Sequence, residues 1–596
     1  MIHYKISSKN PAGHYFDVVL TIPVADPDGQ VLRLPAWIPG SYMIRDFARN
    51  IVEISAHCNS KSLSMTQLDK SSWLVEVCRE PVSIQYRVYA WDLSVRSAHL
   101  DTTHGFFNGT SVFLEVVGQS DLPCEIEVIA PETENSEKWK LATTLTRKLG
   151  GDFEFGSFQA DNYQELIDHP VEMGDFTQFD FEACGIRHDV ILTGRFNCDE
   201  KRLSDDLTKI CEQHIKMFGV PAPMSRYMFL VMVVGEGYGG LEHSSCTSLL
   251  CSRINLPQPG QSELTDEYRD FLGLCSHEYF HSWNVKRIKP AVFDNPDLSK
   301  EVYTPLLWAF EGITSYYDDL GMLRCGRLSI DDYLELVGRT ITRVQRGTGR
   351  TRQSAAESSF NAWSKFYKQD ENSANAIVSY YAKGMMIAMC LDLKIRQLTD
   401  HDKSLDDVMR ILWSHYQQTG KGLHDTEIQH IIAELVGSDI SEFLELLINQ
   451  RVDLPLEELL ETISIRLEYR VSAGQLDKGG KVNDDLPACT LGAVVAEADG
   501  VLQVVSVKED AAAQQAGISA GDTIIAINGL RANMKSYQDW LKLSVAGSQH
   551  QLTAFRRDEL MNFEVELQKP DKDTAVLTII DPSSESFNNW LQRKEA

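Results

Sequence analysis

The stretch LTDEYRDFLGLCSHEYFHSWNV, residues 264–285, decides how the chain reads. Phe271, Leu272 and Leu274 place apolar residues at helical spacing just ahead of His277-Glu278-Tyr279-Phe280-His281, so the H-E-x-x-H pattern falls inside a helix. Positions four apart differ by only about 40° around a helix axis, and both imidazoles therefore leave the same face. Two metal ligands, His277 and His281, are preset, and Glu278 stands beside the first where it can act as general base on an activated water. With 16 His in 596 residues, chance supplies on the order of 0.03 such matches. Cys275 sits two residues before His277, about 200° around the axis, and reads as a core thiol, not a ligand.

A catalytic zinc takes three protein ligands and keeps one position open, so a third ligand is expected downstream. Glu311 lies thirty residues after His281 in a second helical segment, TPLLWAFEGITSYYDDL, which begins at Thr304-Pro305. Its neighbours Trp308, Gly312 and Tyr316 supply packing, and a carboxylate buried there calls for a cation. Two His and one Glu suit zinc by ligand type, one ion per chain.

Around this motif the chain divides. Its 596 residues correspond to about four domains at ~150 residues each. Residues 1–168 read as an N-terminal β-sandwich-like domain: Phe16, Val18, Leu20 and Ile22 alternate with polar positions, as do Val82, Ile84, Tyr86 and Val88. Residues 169–260 form a β-containing lobe, with Tyr227 to Val234 apolar enough for a buried strand. Helices dominate 261–470, and residues 472–487 look like a loose linker. Strand signals then return. The fold class is α+β, multidomain.

Composition narrows the function. Hydrophobic residues at 43% and charged residues at 24% are ordinary globular usage. With 57 Lys plus Arg against 85 Asp plus Glu the net charge is −28, a poor match to nucleic acid. The start MIHYKISSKN lacks a secretory pattern, and no sequence run reads as an apolar membrane span. Twelve scattered Cys without a CxxC pair point to reduced thiols, hence a cytoplasmic setting. The sequon Asn108-Gly109-Thr110 carries little weight there. Gly235-Glu236-Gly237-Tyr238-Gly239-Gly240 fits G-x-G-x-x-G, but LEHSSCTSLLC after it reads as a strand instead of the helix a dinucleotide site needs; a Gly-rich sheet edge that lets backbone approach a ligand is the better reading. Arg339, Arg343, Arg346, Arg350 and Arg352 read as a solvated charged face.

The assembled residues resemble the gluzincins, metallopeptidases with two His and a distant Glu. More closely, the chain resembles the glycyl aminopeptidase family, related to aminopeptidase N, through LPAWIPGSYMIRDFARN (34–50), HPVEMGDF (169–176), GYGGLEH (237–243), HEYFHSWNVKRIKP (277–290), WAFEGITSYY (308–317) and VSYYAKG (378–384). The family joins a β domain, a thermolysin-like catalytic domain and a PDZ domain. Residues 485–570 resemble the last of these, with Leu491-Gly492 at the carboxylate-binding loop and 571–596 left as a C-terminal tail. Gly239-Gly240-Leu241-Glu242-His243 is similar to a G-x-M-E-N segment whose Glu holds the substrate's free amino group, although Leu241 and His243 depart from that pattern. Tyr381 in Tyr381-Ala382-Lys383-Gly384 is similar to a Tyr that donates to the oxyanion; Tyr380 diverges from it by about 100° on a helix. The resemblance implies a zinc aminopeptidase with Glu278 and Tyr381 catalytic, Gly239, Gly240 and Glu242 binding substrate, and a preference for small N-terminal residues, Gly first. Its partners would be peptides with a free N-terminus, plus a peptide at the PDZ domain. Two rivals stand beside it: a thermolysin-like endopeptidase, and an inert PDZ-containing binding protein.

Overall fold

The computed structural model describes residues 1–591 except 60, 133–135, 484 and 499. The chain divides into two compact units, residues 1–302 with 416–422, and residues 303–415 with 423–596.

In the first unit the alternation at the N-terminus does what its period requires. Tyr15–Ile22 buries Phe16, Val18, Leu20 and Ile22, and its antiparallel partner Val82–Tyr89 brings Val88, Tyr86, Ile84 and Val82 against them on the same face. These strands belong to an eight-stranded sheet, accompanied by two four-stranded sheets. Val171–Gly174 pairs on both sides within one of the latter, with His104–Phe107 and Lys140–Ala142. The β domain therefore extends past the expected boundary at 168. Asn108 and Thr110 of the sequon are fully buried, and Asn108 Nδ2 donates to the Val95 carbonyl at 2.9 Å, a structural role.

Next comes a five-stranded sheet in the order Thr177–Ala183, Ile186–Gly194, Arg226–Val234, Cys246–Ser252, Tyr238–Glu242. The apolar strand Arg226–Val234 runs parallel to both neighbours, as a strand covered on two faces should. The glycine run enters the edge strand Tyr238–Glu242, which turns back antiparallel onto Cys246–Ser252. No helix opens after the last Gly, so the dinucleotide geometry is absent here. The motif helix, Asp266–Phe280, packs against this sheet. Thr265 accepts from the Tyr268 amide at 3.2 Å as N-cap, with Asp266 and Glu267 in the first turn.

In the second unit the expected helix at Thr304-Pro305 starts later. Thr304 Oγ1 accepts from the Leu306 amide, a short helix runs Leu307–Phe310, and a longer one runs Gly312–Arg324 with Glu311 at the break. The stretch Ser373–Leu398 is long and apolar enough to cross a membrane by length and composition, contrary to the sequence expectation. Most of it lies in the interior, where an all-round apolar helix also belongs.

Two expectations for this unit are corrected. The segment taken as a tail from 571 carries strand Lys572–Ile579, paired with Ile465–Val471, and helix Glu585–Leu591, whose Trp590 is fully buried and donates to Tyr316 Oη at 3.3 Å. Only 592–596 lie outside the described residues. The arginine run is a solvated face only in part: Arg343 and Arg352 are exposed, whereas Arg339, Arg346 and Arg350 are half-buried. Arg339 bonds Glu335, Arg346 reaches Ser472 and Thr574, Arg350 pairs with Asp453 at 2.8 Å and Arg352 with Glu509 at 2.8 Å. Its periodicity on the helix Ile330–Arg346 could not reveal that acidic and hydroxyl groups from residues 453–574 would come to meet it.

Candidate active site

Within the first unit, His277 and His281 project from one face of the motif helix with ring centroids 4.6 Å apart and planes at 88°. His281 Nδ1 donates to the Asn284 carbonyl at 2.7 Å, which places the ring proton on Nδ1 and leaves the lone pair on Nε2. The helix is held from behind: Ser276 Oγ bonds His214 Nε2 at 2.8 Å and Tyr279 Oη bonds His188 Nε2 at 2.9 Å. Cys275 is buried, and burial pushes its thiol well above the ordinary range, so it stays protonated in the core.

The edge strand lies over the carboxylate between the two His. A Cβ on Gly240 would stand 2.0 Å from Glu278 Oε1 and 2.5 Å from its Cδ, so this position accepts no side chain while that carboxylate stays where it is. Two residues on, Glu242 is 4% exposed and its Oε1 has no hydrogen-bond partner among the described residues. Glu242, Glu278 and His281 each offer a ligand atom, all within 4.8 Å of one another. The structure thus brings the resemblance-derived Glu242 directly beside the motif.

Several contributors were invisible in the sequence. Gly40, in the LPAWIPGSY loop, has φ +92°, and a Cβ there would fall 2.5 Å from Glu242 Oε1. That loop is tied down where Ala36 N donates to the Leu298 carbonyl. Arg96 Nη2 donates to the Gly240 carbonyl at 3.1 Å. Half-buried Asp168 accepts from Lys286 Nζ at 2.6 Å and from the Ser244 amide at 3.1 Å, and Arg287 donates to the Ser244 carbonyl, fastening the turn after Glu242 to the segment after the motif helix. Burial would raise the Asp168 carboxyl, but the Lys286 ammonium beside it holds it well below the carboxylate range. The segments were legible as motifs, whereas these contacts span tens to hundreds of residues.

Within the second unit, Glu311 is buried at the helix break. Gly312 and Gly384 let two helices meet at their backbones: a Cβ on Gly312 would stand 2.4 Å from Gly384 Cα, and one on Gly384 2.6 Å from the Trp308 carbonyl. This crossing sets Tyr381 near Glu311. Burial and then the Glu311 carboxylate push the Tyr381 hydroxyl well above its usual range, so it remains a proton donor. Tyr381 is half-buried and Tyr380 fully buried, in keeping with the divergence expected on a helix.

Residues 3–175 match the Peptidase M61 N-terminal domain, 270–387 the M61 glycyl aminopeptidase domain and 489–567 a PDZ domain. An aminopeptidase N family protein from Idiomarina loihiensis has a solved structure that is 44% identical, covering 99% of this chain and 100% of that one, with a TM-score of 0.96. More distant are an M1 zinc metallopeptidase from Deinococcus radiodurans (12% identity, 76% and 94% coverage, TM-score 0.48) and aminopeptidase A of Legionella pneumophila (14%, 75% and 49%, 0.47). No curated protein matches. Fold and site together define a metallo-aminopeptidase, a peptide-bond hydrolase built from a β domain, a catalytic domain with an H-E-x-x-H helix, and a PDZ domain. The chain belongs to the M61 glycyl aminopeptidase family.

Proposed function

We propose that this enzyme is a zinc aminopeptidase that releases small N-terminal residues, glycine first, from peptides with a free amino terminus. The observation that carries the reading is Glu242, a buried carboxylate with an unpartnered Oε1 beside Glu278 and His281. Such a group is costly to keep unless a cation completes it, and a substrate ammonium is the cation an aminopeptidase supplies. The glycine preference follows the family's description.

We assign the metal to His277, His281 and Glu311, a donor set of two imidazoles and one carboxylate that suits zinc. The fixed Nδ1 hydrogen bond of His281 supports this set, and Glu278, outside it, is assigned as the base. A zinc ion bound there supplies Lewis acidity to water and to the scissile carbonyl. Glu278 takes the proton of the attacking water and hands it to the leaving amine. Tyr381 donates its hydroxyl hydrogen to the oxyanion as the carbonyl becomes tetrahedral. Glu242 holds the ammonium and sets the register, so that the bond after the first residue is the one presented. The PDZ domain we take as a second peptide-binding surface. We take the setting to be cytoplasmic, on the scattered cysteines without a CxxC pair.

The test compares glycyl peptides with and without an N-terminal acetyl group. The unmutated enzyme should cleave only the free amine, and Glu242→Ala should lower kcat/KM for it by about 30- to 1,000-fold, the cost of an unpaired desolvated charge. Metal analysis should return one zinc per chain for both proteins. Equal cleavage of acetylated peptides before and after the substitution would establish the endopeptidase reading instead.

A further inference from the structure

Two cysteines of the β domain turn their sulfurs towards each other. Cys58 ends the strand Ile51–Cys58, and Cys78 lies between Ser72–Val75 and Val82–Tyr89; both are half-buried. Cys78 Sγ donates to Cys58 Sγ at 2.7 Å, well inside the about 3.5 to 4.0 Å at which non-bonded heavy atoms rest. The sheet holds this approach in place. Cys58 stands opposite Val82 on one neighbouring strand and opposite Lys61 on the other, so the strand that Cys78 leads into is already paired to the strand that Cys58 ends. Other thiols are placed differently: Cys325 and Cys489 donate to carbonyls at 3.5 and 3.1 Å, and Cys211, Cys246, Cys251, Cys275 and Cys390 are buried.

We propose that Cys58 and Cys78 are a redox modification site, which a small disulfide of the glutathione type oxidises to an intramolecular disulfide that staples one corner of the β domain. In the first step one cysteine, as thiolate, attacks the small disulfide; a mixed disulfide forms and one small thiolate leaves, taking up the proton that the cysteine lost. In the second step the other cysteine attacks the protein sulfur of the mixed disulfide, the bond between 58 and 78 forms, and a second small thiol leaves. The protein gives up two electrons and two protons, all of them carried off by the two small thiols. The Cys78 sulfhydryl, then burial and Glu80, push the Cys58 thiol above its usual range against the Lys61 ammonium, so mildly alkaline conditions supply the thiolate in vitro. Under reducing conditions the pair rests as two thiols and closes when small disulfides accumulate. The closed bond spans 20 residues, and within that loop lie Lys61–Leu63, at the edge of the eight-stranded sheet, and Met65–Gln67 and Ser72–Val75, of a four-stranded one. Joining its ends restricts the unfolded chain and so stabilises the fold.

The experiment incubates the full chain with glutathione disulfide at about pH 8.5, blocks remaining thiols with N-ethylmaleimide and digests with trypsin. Mass spectrometry should find the peptides 50–61 and 71–79 joined, and dithiothreitol should separate them. The undigested oxidised enzyme should melt several degrees above the reduced one. Its kcat on glycine p-nitroanilide should not change, since no residue from 58 to 78 belongs to the site. Cys58→Ser and Cys78→Ser should each keep that turnover, carry one glutathione on the cysteine that remains, and show no rise in the melt. Cysteines that stay open to N-ethylmaleimide after oxidation, or that each carry glutathione without a link between them, would overturn the proposal. A joined pair whose melting midpoint stays at the reduced value would overturn the staple as well.

Discussion

Gly240→Ala puts the smallest side chain where the structure leaves no room for one. The new methyl would begin 2.0 Å from Glu278 Oε1, 2.5 Å from its Cδ and 2.8 Å from its Cγ. Ordinary carbon–oxygen contact needs about 3.4 Å, so strand and carboxylate must part by roughly 1.4 Å. The free end of a glutamate swings at small cost to folding, and the thermal midpoint should move by only a few degrees. Catalysis does not share that tolerance, because a base misplaced by about 1 Å costs about 100-fold, or about 3 kcal/mol in the barrier. The assay is kcat on glycine p-nitroanilide, read with metal content and a thermal melt on the same preparation. Gly239→Ala, whose Cβ would meet nothing nearer than Arg96 Nη1 at 3.6 Å, should cost far less. A Gly240→Ala enzyme with full metal and kcat within about threefold of the parent would refute the argument, since Glu278 could not then be acting from the position it occupies.

Three further outcomes are expected. Glu278→Gln should keep its zinc, by metal analysis, and lose most of kcat, because the base is gone while the ligands remain; retained turnover would remove Glu278 from the mechanism. Tyr381→Phe should lower kcat by about 10² to 10³ with little change in KM, as an oxyanion donor acts mainly in the transition state, and the same loss on Tyr380→Phe instead would move the assignment by one residue. A chain ending near Gln475 would lose the strand Lys572–Ile579 and the buried Trp590 as well as the PDZ domain, so it should be poorly soluble; Trp590→Ala alone should cost about 3 to 5 kcal/mol in a denaturant melt, and wild-type stability of either protein would contradict the packing described.

The H-E-x-x-H helix, the half-buried strands at Phe16–Ile22 and Val82–Val88, and the edge character of the glycine run were all legible in the sequence. Each rests on a period of 2 or 3.6 residues, or on a spacing of four, that backbone geometry turns directly into a face. Glu242 and Tyr381 came from segments similar to a family, since nothing in the neighbourhood of either marks it as more than an ordinary polar residue. What only the tertiary structure decided are contacts between residues far apart in the chain. Gly40 meets Glu242 across some 200 positions, Arg96 meets Gly240 across 144, and Lys572–Ile579 crosses the whole PDZ domain to pair with Ile465–Val471. Local pattern sets which way a side chain points, but which carboxylate a glycine must make room for, and which carbonyl an arginine reaches, depends on the packing of whole elements.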